Sequence, residues 1–185
     1  GLLLSPDPRD MMGADAGTEH EKCRAKELSI MLIIRTMEKK DEAVILEMMK
    51  DFYNSPACLH TVPEENFRRT LAEAVAGNPC VRVLILEEQE VNDPQAEAVT
   101  LGYAHFTVSW NNEAGGEQIW FDELYLKAEA RGKGCGTKVF RWIEEHYPDV
   151  KRIRLEVTKE NTRAISLYER LGYGELPYYQ MCKDF

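Results

Sequence analysis

Apolar positions along the chain follow two different spacings, and the changes between them mark the elements of the fold. Short apolar or alternating runs predict strands, because successive side chains of a strand point to opposite faces of a sheet. These runs occupy residues 29–34, 80–87, 101–110, 117–126, 152–157 and 178–182. The polar stretch 111–116 between the third and fourth strands predicts a hairpin loop.

Apolar residues spaced three or four apart predict four helices between these strands. The helices are predicted between Asp41 and Pro56, from Thr61 to Gly77, from the turn ending at Gly136 to Pro148, and from Asn161 or Thr162 to Gly172. Thr61 and Glu64 have the spacing of a capping box. The resulting order, β-α-α-β-β-β-α-β-α-β, predicts an α/β fold of the α+β kind, with a mixed sheet flanked by helices.

The first 27 residues differ from the rest of the chain. They are polar and aperiodic, and prolines and glycines interrupt any helical pattern. We interpret residues 1–27 as a flexible leader, and the sequence leaves open whether this leader is native. Residues 28–185 are expected to form a single domain.

Composition and charge narrow the classes of ligand. The chain has 185 residues and a formal net charge of −9, which disfavours a nucleic-acid-binding protein and slightly favours cationic ligands. Its five cysteines and four histidines are scattered without a Cys-x-x-Cys pair, so neither a disulfide framework nor a metal site is predicted. With no signal peptide and no apolar run of about 20 residues, we expect a cytoplasmic protein with no membrane partner.

Residues 124–137 form the first segment with candidate chemistry. The segment runs from a strand through a glycine-rich turn into a helix, and the turn contains Gly132, Gly134 and Gly136. Glycines let a backbone approach a ligand closely, and a helix start presents unpaired N–H groups at the positive end of the helix dipole. Arg131 and Lys133 add matching charge. The segment therefore predicts an anion site suited to a pyrophosphate, although it has neither the Walker nor the dinucleotide-binding spacing.

A second segment, residues 161–173, adds the context that the turn alone lacks. It places Tyr168 on or beside the apolar face of a helix. The two segments together resemble the GNAT N-acetyltransferase superfamily, and the resemblance covers residues 30–185 in element order. The matching pattern is Arg-x-x-Gly-x-Gly at residues 131–136, followed by Asn161, Ala164, Leu167-Tyr168 and Gly172-Tyr173.

The resemblance implies an enzyme that moves acetyl from acetyl-CoA to a primary amine. In that family the coenzyme lies where two parallel strands splay apart. The turn matching Arg131–Thr137, here Arg131, Gly132, Lys133, Gly134, Cys135, Gly136 and Thr137, wraps the pyrophosphate. The strand end matching Leu124 and Leu126 pairs its backbone with the pantetheine arm, and Asn161 matches a residue that hydrogen-bonds this arm. A backbone N–H near Leu124 or Tyr125 would steady the oxyanion.

Asp122 and Glu123 are the candidates for handling the proton of the acceptor. An alkylammonium has a pKa near 10.4, so only about one molecule in 10³ carries a free lone pair at pH 7. Because successive strand residues face opposite sides, only one of the two acids should point into the cleft. By this alternation Glu123 shares a face with Phe121 and Tyr125. We favour Asp122 for binding the substrate or accepting its proton, and we keep Glu123 as the rival.

Tyr168 is the candidate general acid. Its position matches the usual acid of the family, and a phenol with an ordinary pKa near 10 can protonate a departing thiolate. Cys135 lies within the turn, but no histidine stands at a partner spacing, so we do not assign it as a nucleophile. Four aromatic residues are candidates for the lining of the acceptor cleft: Trp110, Trp120, Tyr178 and Tyr179.

Together these residues predict an N-acetyltransferase that works by direct attack in a ternary complex. The acidic pair looks similar to that of spermidine/spermine acetyltransferases, so we expect a small cationic amine, such as a polyamine or an aminoglycoside, as acceptor. A protein lysine or N-terminus as acceptor, and a non-catalytic CoA-binding sensor module, are the alternatives. A homodimer, to which the C-terminal strand could contribute, is left open.

Overall fold

A computed structural model describes residues 30–93 and 95–185 of the chain. The predicted leader, residues 1–27, lies outside the described residues. The extent of the predicted domain, residues 28–185, stays a prediction. No helix in the part of the chain that the structure describes is long and apolar enough to cross a membrane.

Five strands form one mixed sheet in the order β1-β2-β3-β4-β5. The strands are β1 (Ile30–Thr36), β2 (Val81–Glu90), β3 (Val99–Asn111), β4 (Gly116–Leu126) and β5 (Arg152–Leu155). Neighbouring strands are antiparallel from β1 to β4. A hairpin loop joins β3 to β4, whereas the long connection between β1 and β2 contains two helices. Only β4 and β5 are parallel, and the crossover between them contains a helix.

Four helices cover the two faces of this sheet. They are α1 (Glu42–Tyr53), α2 (Glu64–Val75), α3 (Cys135–His146) and α4 (Thr162–Arg170). The helical spacing of apolar residues explains their placement, since Val139, Phe140 and Ile143 of α3 are all fully buried. The predicted fold class and the order of elements through α4 are confirmed.

The core has two halves, one on each face of the sheet. On one face α1 and α2 pack against β2 and β3, with Ile45 and Tyr103 at the centre. On the other face α3 packs against β3 and β4, and Phe121 and Phe140 lie with ring centroids 4.6 Å apart. Each fully buried aromatic or aliphatic side chain contributes about 1.5–3 kcal/mol relative to an exposed one. The two half-cores therefore hold β4 rigidly from both sides.

The predicted strand at residues 178–182 is wrong. The described structure has no strand after α4, and Tyr179 is 91% exposed. The Tyr178 hydroxyl donates a hydrogen bond to Glu113, but this exposed contact is no substitute for a backbone ladder. The apolar composition of the segment was mistaken for a strand, because composition does not show whether a neighbouring edge pairs with it.

The predicted capping box of Thr61 and Glu64 is also wrong. The helix α2 begins at Glu64, and Pro63 occupies the N-cap position without a side-chain hydrogen bond. A proline forces the residue before it out of the helical region, so Val62 cannot be helical. The helix must therefore start after Pro63, which places Thr61 too far upstream to cap it.

Candidate active site

A cleft opens where β4 and β5 separate. The two strands pair only from Gln118 to Phe121 on β4 and from Arg152 to Leu155 on β5. Beyond these pairs Asp122 lines one wall, and residues 156–159 line the other. The cleft has a volume of about 1380 Å³. A space of this size between parallel strands can admit an extended ligand along the free edge of β4.

A β-bulge in β4 decides which of the two acids reaches this cleft. Phe121 lies opposite Phe106 of β3 and Glu123 lies opposite His105, so Asp122 is an extra residue with no partner across the ladder. The extra residue reverses the alternation. Phe121 packs in the half-core beside α3, whereas Glu123 contacts Tyr103 of the opposite half-core. The predicted common face of Glu123 and Phe121 is therefore wrong.

The Asp122 carboxylate stands in the cleft with a perturbed acidity. Its outer surface is exposed, while the protein behind it removes water from its inner side. This desolvation is the largest cause that raises its pKa, to about 6, and the charges of Glu123 and Glu156 add to the rise. The charge of His105 acts in the opposite direction and lowers the pKa of Asp122. At pH 7 Asp122 is mostly ionised and is a stronger base than an ordinary aspartate.

Glu123 is buried beside the cleft and does not line it. One of its oxygens accepts a 2.9 Å hydrogen bond from the Tyr53 hydroxyl, and the other accepts a 2.6 Å bond from the Tyr103 hydroxyl. His105 Nδ1 lies 3.6 Å from Glu123 Oε1, which is an ion-pair distance longer than a hydrogen bond. Burial alone would raise the pKa of Glu123, but His105 and the two tyrosines lower it.

Tyr168 lines the same cleft from α4. Its ring packs edge-on against Phe140, with centroids 5.7 Å apart, and against Tyr173 at 5.8 Å. Burial raises the pKa of its phenol, so the group carries its proton throughout the neutral range. Within the described residues its hydroxyl has no hydrogen-bond partner. A ligand in the cleft could therefore receive that hydrogen bond or proton without a competitor.

The glycine-rich turn has the backbone geometry of an anion site. Gly132 has φ +80° and Gly134 has φ +78°, a region that side chains rarely adopt. Gly134 is the N-cap of α3, no side chain caps this helix end, and the first helical bond runs from Lys138 N–H to Gly134 O. The N–H groups of the first turn are consequently free of helical acceptors and point out of the helix start.

The side chains of the turn divide between structure and charge. Arg131 Nε donates a 2.7 Å hydrogen bond to the carbonyl oxygen of Leu126, which ties the turn to the end of β4. Lys133 is exposed, and Thr137 is half-buried in the first turn of α3. Cys135 is buried in the half-core beside α3, so only its backbone N–H faces the turn. This burial gives Cys135 a packing role.

The turn and Tyr168 are connected through α4. A Cβ atom at Gly136 would lie 2.9 Å from Leu167 Cδ2, so this glycine lets α3 approach α4 closely. A Cβ at Gly132 would lie 3.3 Å from the guanidinium of Arg163. Leu167 is the neighbour of Tyr168 on α4. The same helix therefore packs against Gly136 of the turn through Leu167 and places the phenol of Tyr168 in the cleft. The residues of the turn do not themselves line the cleft.

Asn161 and the end of β4 are the remaining predicted residues of the coenzyme site. The Asn161 side chain caps α4 by accepting a 3.2 Å hydrogen bond from the Ala164 N–H. Its amide nitrogen remains available as a donor. Leu124, Tyr125 and Leu126 pair with β3 on one edge, while β5 has already ended on the other. Their free edge can therefore offer backbone groups to a ligand.

Several residues of the site were missed by sequence reasoning. The end of α1 contributes Tyr53 to a wall of the cleft, and the connection between α1 and α2 contributes Cys58 and His60. Arg163 stands beside the turn as an additional cation. Tyr53, Cys58 and His60 lie far from the recognised motifs in sequence, and only folding brings them to the site. Arg163 lies within the segment 161–173, but its position beside the turn depends on the packing of α4 near α3.

The predicted aromatic lining is wrong for all four residues, since none of them lines the cleft: Trp110, Trp120, Tyr178 and Tyr179. Trp110 is 69% exposed at the hairpin end of β3. Trp120 instead stacks under Arg154, whose guanidinium carbon lies 4.7 Å from the ring centroid. The aromatic residues that line the cleft come from the end of α1, from α4 and from the turn after α4: Phe52, Tyr53, Tyr168 and Tyr173.

Comparisons with known proteins decide the family of this chain. The family described as "Acetyltransferase (GNAT) family" matches residues 45–173. The chain belongs to the GNAT acetyltransferase family. It is therefore an acetyl-CoA-dependent N-acetyltransferase, and acetyl-CoA is its co-substrate, as the sequence motifs predict. The region that matches the GNAT family contains most of the residues that line the cleft, the glycine-rich turn and Tyr168.

Individual relatives of this GNAT protein act on different amines by name. Thialysine N-epsilon-acetyltransferase of Bos taurus is 28% identical over 150 residues, which cover 78% of this chain and 85% of the relative. Spermine/spermidine N(1)-acetyltransferase of Bacillus subtilis (strain 168) is 33% identical over 67 residues, which cover 33% of this chain and 44% of the relative.

A solved structure supports the fold of this GNAT protein. The structure of AAC(6')-Iy in complex with the bisubstrate analog CoA-S-monomethyl-acetylneamine superimposes with a TM-score of 0.64 at 13% sequence identity. The match covers 84% of this chain and 99% of that chain. At this identity the similarity shows the shared fold, and the acceptor must be argued from the residues of the cleft.

Proposed function

We propose that this enzyme transfers acetyl from acetyl-CoA directly to a small cationic amine, with both substrates bound together. The observation that carries the proposal is the placement of Asp122 and Tyr168 on one cleft, with a carboxylate of raised pKa and a phenol that has no hydrogen-bond partner within the described part of the chain. Direct transfer needs a proton acceptor for the attacking nitrogen and a proton donor for the departing sulfur, and these two groups supply them.

The turn from Arg131 to Thr137 would hold the coenzyme. Its first-turn amides and Gly134 provide a concave backbone surface for the diphosphate, and Lys133 and Arg163 add positive charge beside it. The free edge of β4 at Leu124–Leu126 would pair with the pantetheine arm, and the amide nitrogen of Asn161 could donate to the same arm. When bound, the coenzyme supplies a thioester activated for attack by an amine.

Asp122 would bind the cationic amine and take its proton, directly or through water. Its raised pKa makes it a better proton acceptor than an ordinary aspartate, while it remains ionised at pH 7. The nitrogen then forms a bond to the acetyl carbon as the bond from that carbon to sulfur breaks. Tyr168 donates its proton to the sulfur, and a backbone N–H near Leu124 or Tyr125 would steady the negative oxygen.

The choice of acceptor rests on charge. The chain has a net charge of −9, and the carboxylates of Asp122 and Glu156 lie near one another where β4 and β5 separate. Such a field attracts cations and favours polyamines or aminoglycosides over neutral amines. The relatives named for thialysine, spermine and spermidine support a small amine of this class.

A panel of acceptors tests the proposal. Thiol release from acetyl-CoA is followed with spermidine, an aminoglycoside, thialysine, a lysine-containing peptide and a peptide with a free N-terminus. We expect release that depends on at least one small amine, with a kcat/KM at least about tenfold above either peptide. A preference for a peptide would overturn the small-amine assignment. Tight coenzyme binding without product from any acceptor would indicate the sensor module instead.

A further inference from the structure

A buried pair of a carboxylate and an imidazole lies next to Asp122 and has no part in the transfer as described so far. It consists of Glu123, whose side chain is 6% exposed, and His105, whose side chain is 12% exposed. Two tyrosine hydroxyls donate to the carboxylate, and His105 Nδ1 stands 3.6 Å from it. An ionised carboxylate is rarely buried without a compensating charge.

We propose that Glu123 and His105 form a positioning pair for Asp122: Glu123 holds His105 as the imidazolium, and the imidazolium keeps Asp122 ionised where the amine arrives. The inference rests on the proposed function for the role of Asp122. It assigns Glu123 a role other than that of a rival base, because its oxygens are already occupied and it does not line the cleft.

The Glu123 carboxylate favours the charged form of His105. Its Oε1 lies 3.6 Å from His105 Nδ1, and within the described residues neither ring nitrogen has a hydrogen-bond partner, so the attraction is that of nearby opposite charges. Burial alone would lower the pKa of His105, but the Glu123 carboxylate and, to a smaller extent, Asp122 outweigh it and raise the pKa above its ordinary value. The Tyr53 and Tyr103 hydroxyls stabilise the same carboxylate from α1 and β3.

The pair acts on Asp122 through the bulge. His105 lies opposite Glu123 on β3, directly beside the extra residue of β4. Three charged groups face Asp122: His105 from β3, Glu123 from its own strand and Glu156 from the segment after β5. His105 favours the ionised form of Asp122, and its influence is larger than that of either carboxylate. The pair as a unit therefore favours an ionised Asp122.

Two further groups border the pair on the side of the helices. Tyr53 ends α1, and Cys58 lies in the connection between α1 and α2. Burial and then the charge of Glu123 raise the pKa of both side chains, so both remain protonated and neutral near pH 7. They add no charge that competes with His105.

The first test is the break that Asp122 sets near pH 6 in a plot of log(kcat/KM) against pH. His105→Gln leaves Glu123 as a lone anion beside Asp122, so we expect the break to move up by about one pH unit. Glu123→Gln removes the anion and lets His105 become neutral, so we expect a smaller upward shift of about half a unit. The amine's own titration adds the same slope to every profile.

The double variant H105Q/E123Q gives the sharpest expectation. Because His105 is already neutral in Glu123→Gln, the double variant should match that single variant. Its break should therefore lie below that of His105→Gln, so a second substitution partly reverses the effect of the first. A pair that only stabilises the fold predicts no such reversal. A break in the double variant at or above that of His105→Gln would overturn the proposal.

Asp122→Asn separates this inference from the proposed function. If the break persists in Asp122→Asn, the proposed role of Asp122 is refuted. If Asp122→Asn removes the break but His105→Gln leaves it at the wild-type pH, only the positioning pair is refuted.

A spectroscopic titration of the unaltered protein keeps the test valid should a variant fail to fold. The imidazole signals of His105 are followed by NMR from pH 5 to 9 in the protein without substrates. We expect a titration above the ordinary value of about 6.5. An imidazole already neutral at pH 6 would overturn the proposal, because it could not keep Asp122 ionised.

Discussion

Tyr168→Phe is a nearly pure removal of one hydroxyl. The ring would keep its edge-on contacts with Phe140 and Tyr173 at centroid distances of 5.7 and 5.8 Å. Within the described residues the hydroxyl has no hydrogen-bond partner, so its loss leaves no protein group unsatisfied. We expect the free energy of unfolding to change by less than about 1 kcal/mol.

The expected loss of rate follows from the acidity of the leaving group. A positioned general acid contributes about 10²–10⁴-fold to a rate. A thiolate whose conjugate acid has a pKa near 8.5 can depart partly without help, which places this enzyme in the lower part of that range. We therefore expect the rate of acetyl transfer to fall by about 10²–10³, which corresponds to about 3–4 kcal/mol of barrier.

A single-turnover measurement of thiol release is the appropriate assay, because slow product release cannot hide the chemical step. The dissociation constant of the coenzyme should remain within about threefold of wild type, since the phenol acts on the sulfur and not on the diphosphate. Tyr173→Phe is a matched control. It removes a hydroxyl that is buried without a partner in the described residues, from a ring in the same aromatic cluster.

The control should keep the transfer rate within about twofold of wild type and raise the melting temperature slightly, because a buried hydroxyl without a partner costs free energy. An unchanged single-turnover rate in Tyr168→Phe would remove this residue from the acid role. Equal losses in the two variants would show that packing, and not proton donation, explains the effect.

Three further predictions concern the turn, the α4 cap and an ion-pair network. Gly134→Ala and Gly77→Ala both place a side chain at a φ near +78°, where nothing lies within 4 Å of the new Cβ. Each variant should lose about 1–2 kcal/mol of stability, but only Gly134→Ala should weaken coenzyme binding measured by calorimetry. Equal coenzyme affinities in the two variants would contradict the role of the turn. Asn161→Asp keeps the oxygen that caps α4 and loses the amide donor. Its melting temperature should therefore stay near that of the wild type, while its affinity for the coenzyme falls. A melting temperature lowered as far as in Asn161→Ala would contradict the role of Asn161 as the cap of α4. Arg35→Met should cost about 3 kcal/mol in urea unfolding, because it leaves the buried Asp41 carboxylate without its cation. The pKa of Asp41 is lowered in the folded state, so the free energy of unfolding of the wild type should fall as the pH drops below about 4. The Arg35→Met variant should not show this loss of stability at low pH. The same loss in the variant as in the wild type would contradict the pairing of Arg35 with Asp41.

Local sequence signals predicted most of the fold, because they depend on spacing within one element. The helical face of Val139, Phe140 and Ile143 is buried as predicted. The glycine-rich turn has the positive φ at Gly132 and Gly134 that its composition indicates. These features are properties of neighbouring residues, and no distant contact was needed to predict them.

Features that depend on distant partners could not be predicted. The alternation rule failed at Asp122 because an extra residue in β4 is visible only against its partner strand β3. The strand at residues 178–182 failed because apolar composition alone does not supply a neighbouring edge. Two partners of Glu123 could not be predicted for the same reason: His105 reaches it through the pairing of β3 with β4, and Tyr53 reaches it only when α1 packs on the sheet.

The most direct test of the account is a crystal structure of the enzyme with coenzyme A and a cationic amine bound. We predict diphosphate oxygens about 3 Å from the backbone nitrogens of residues 132–137, and the sulfur within about 3.5 Å of the Tyr168 hydroxyl. The amine nitrogen should face Asp122, directly or through one water. A turn without diphosphate, or a sulfur on the far side of β4 from Tyr168, would contradict the account.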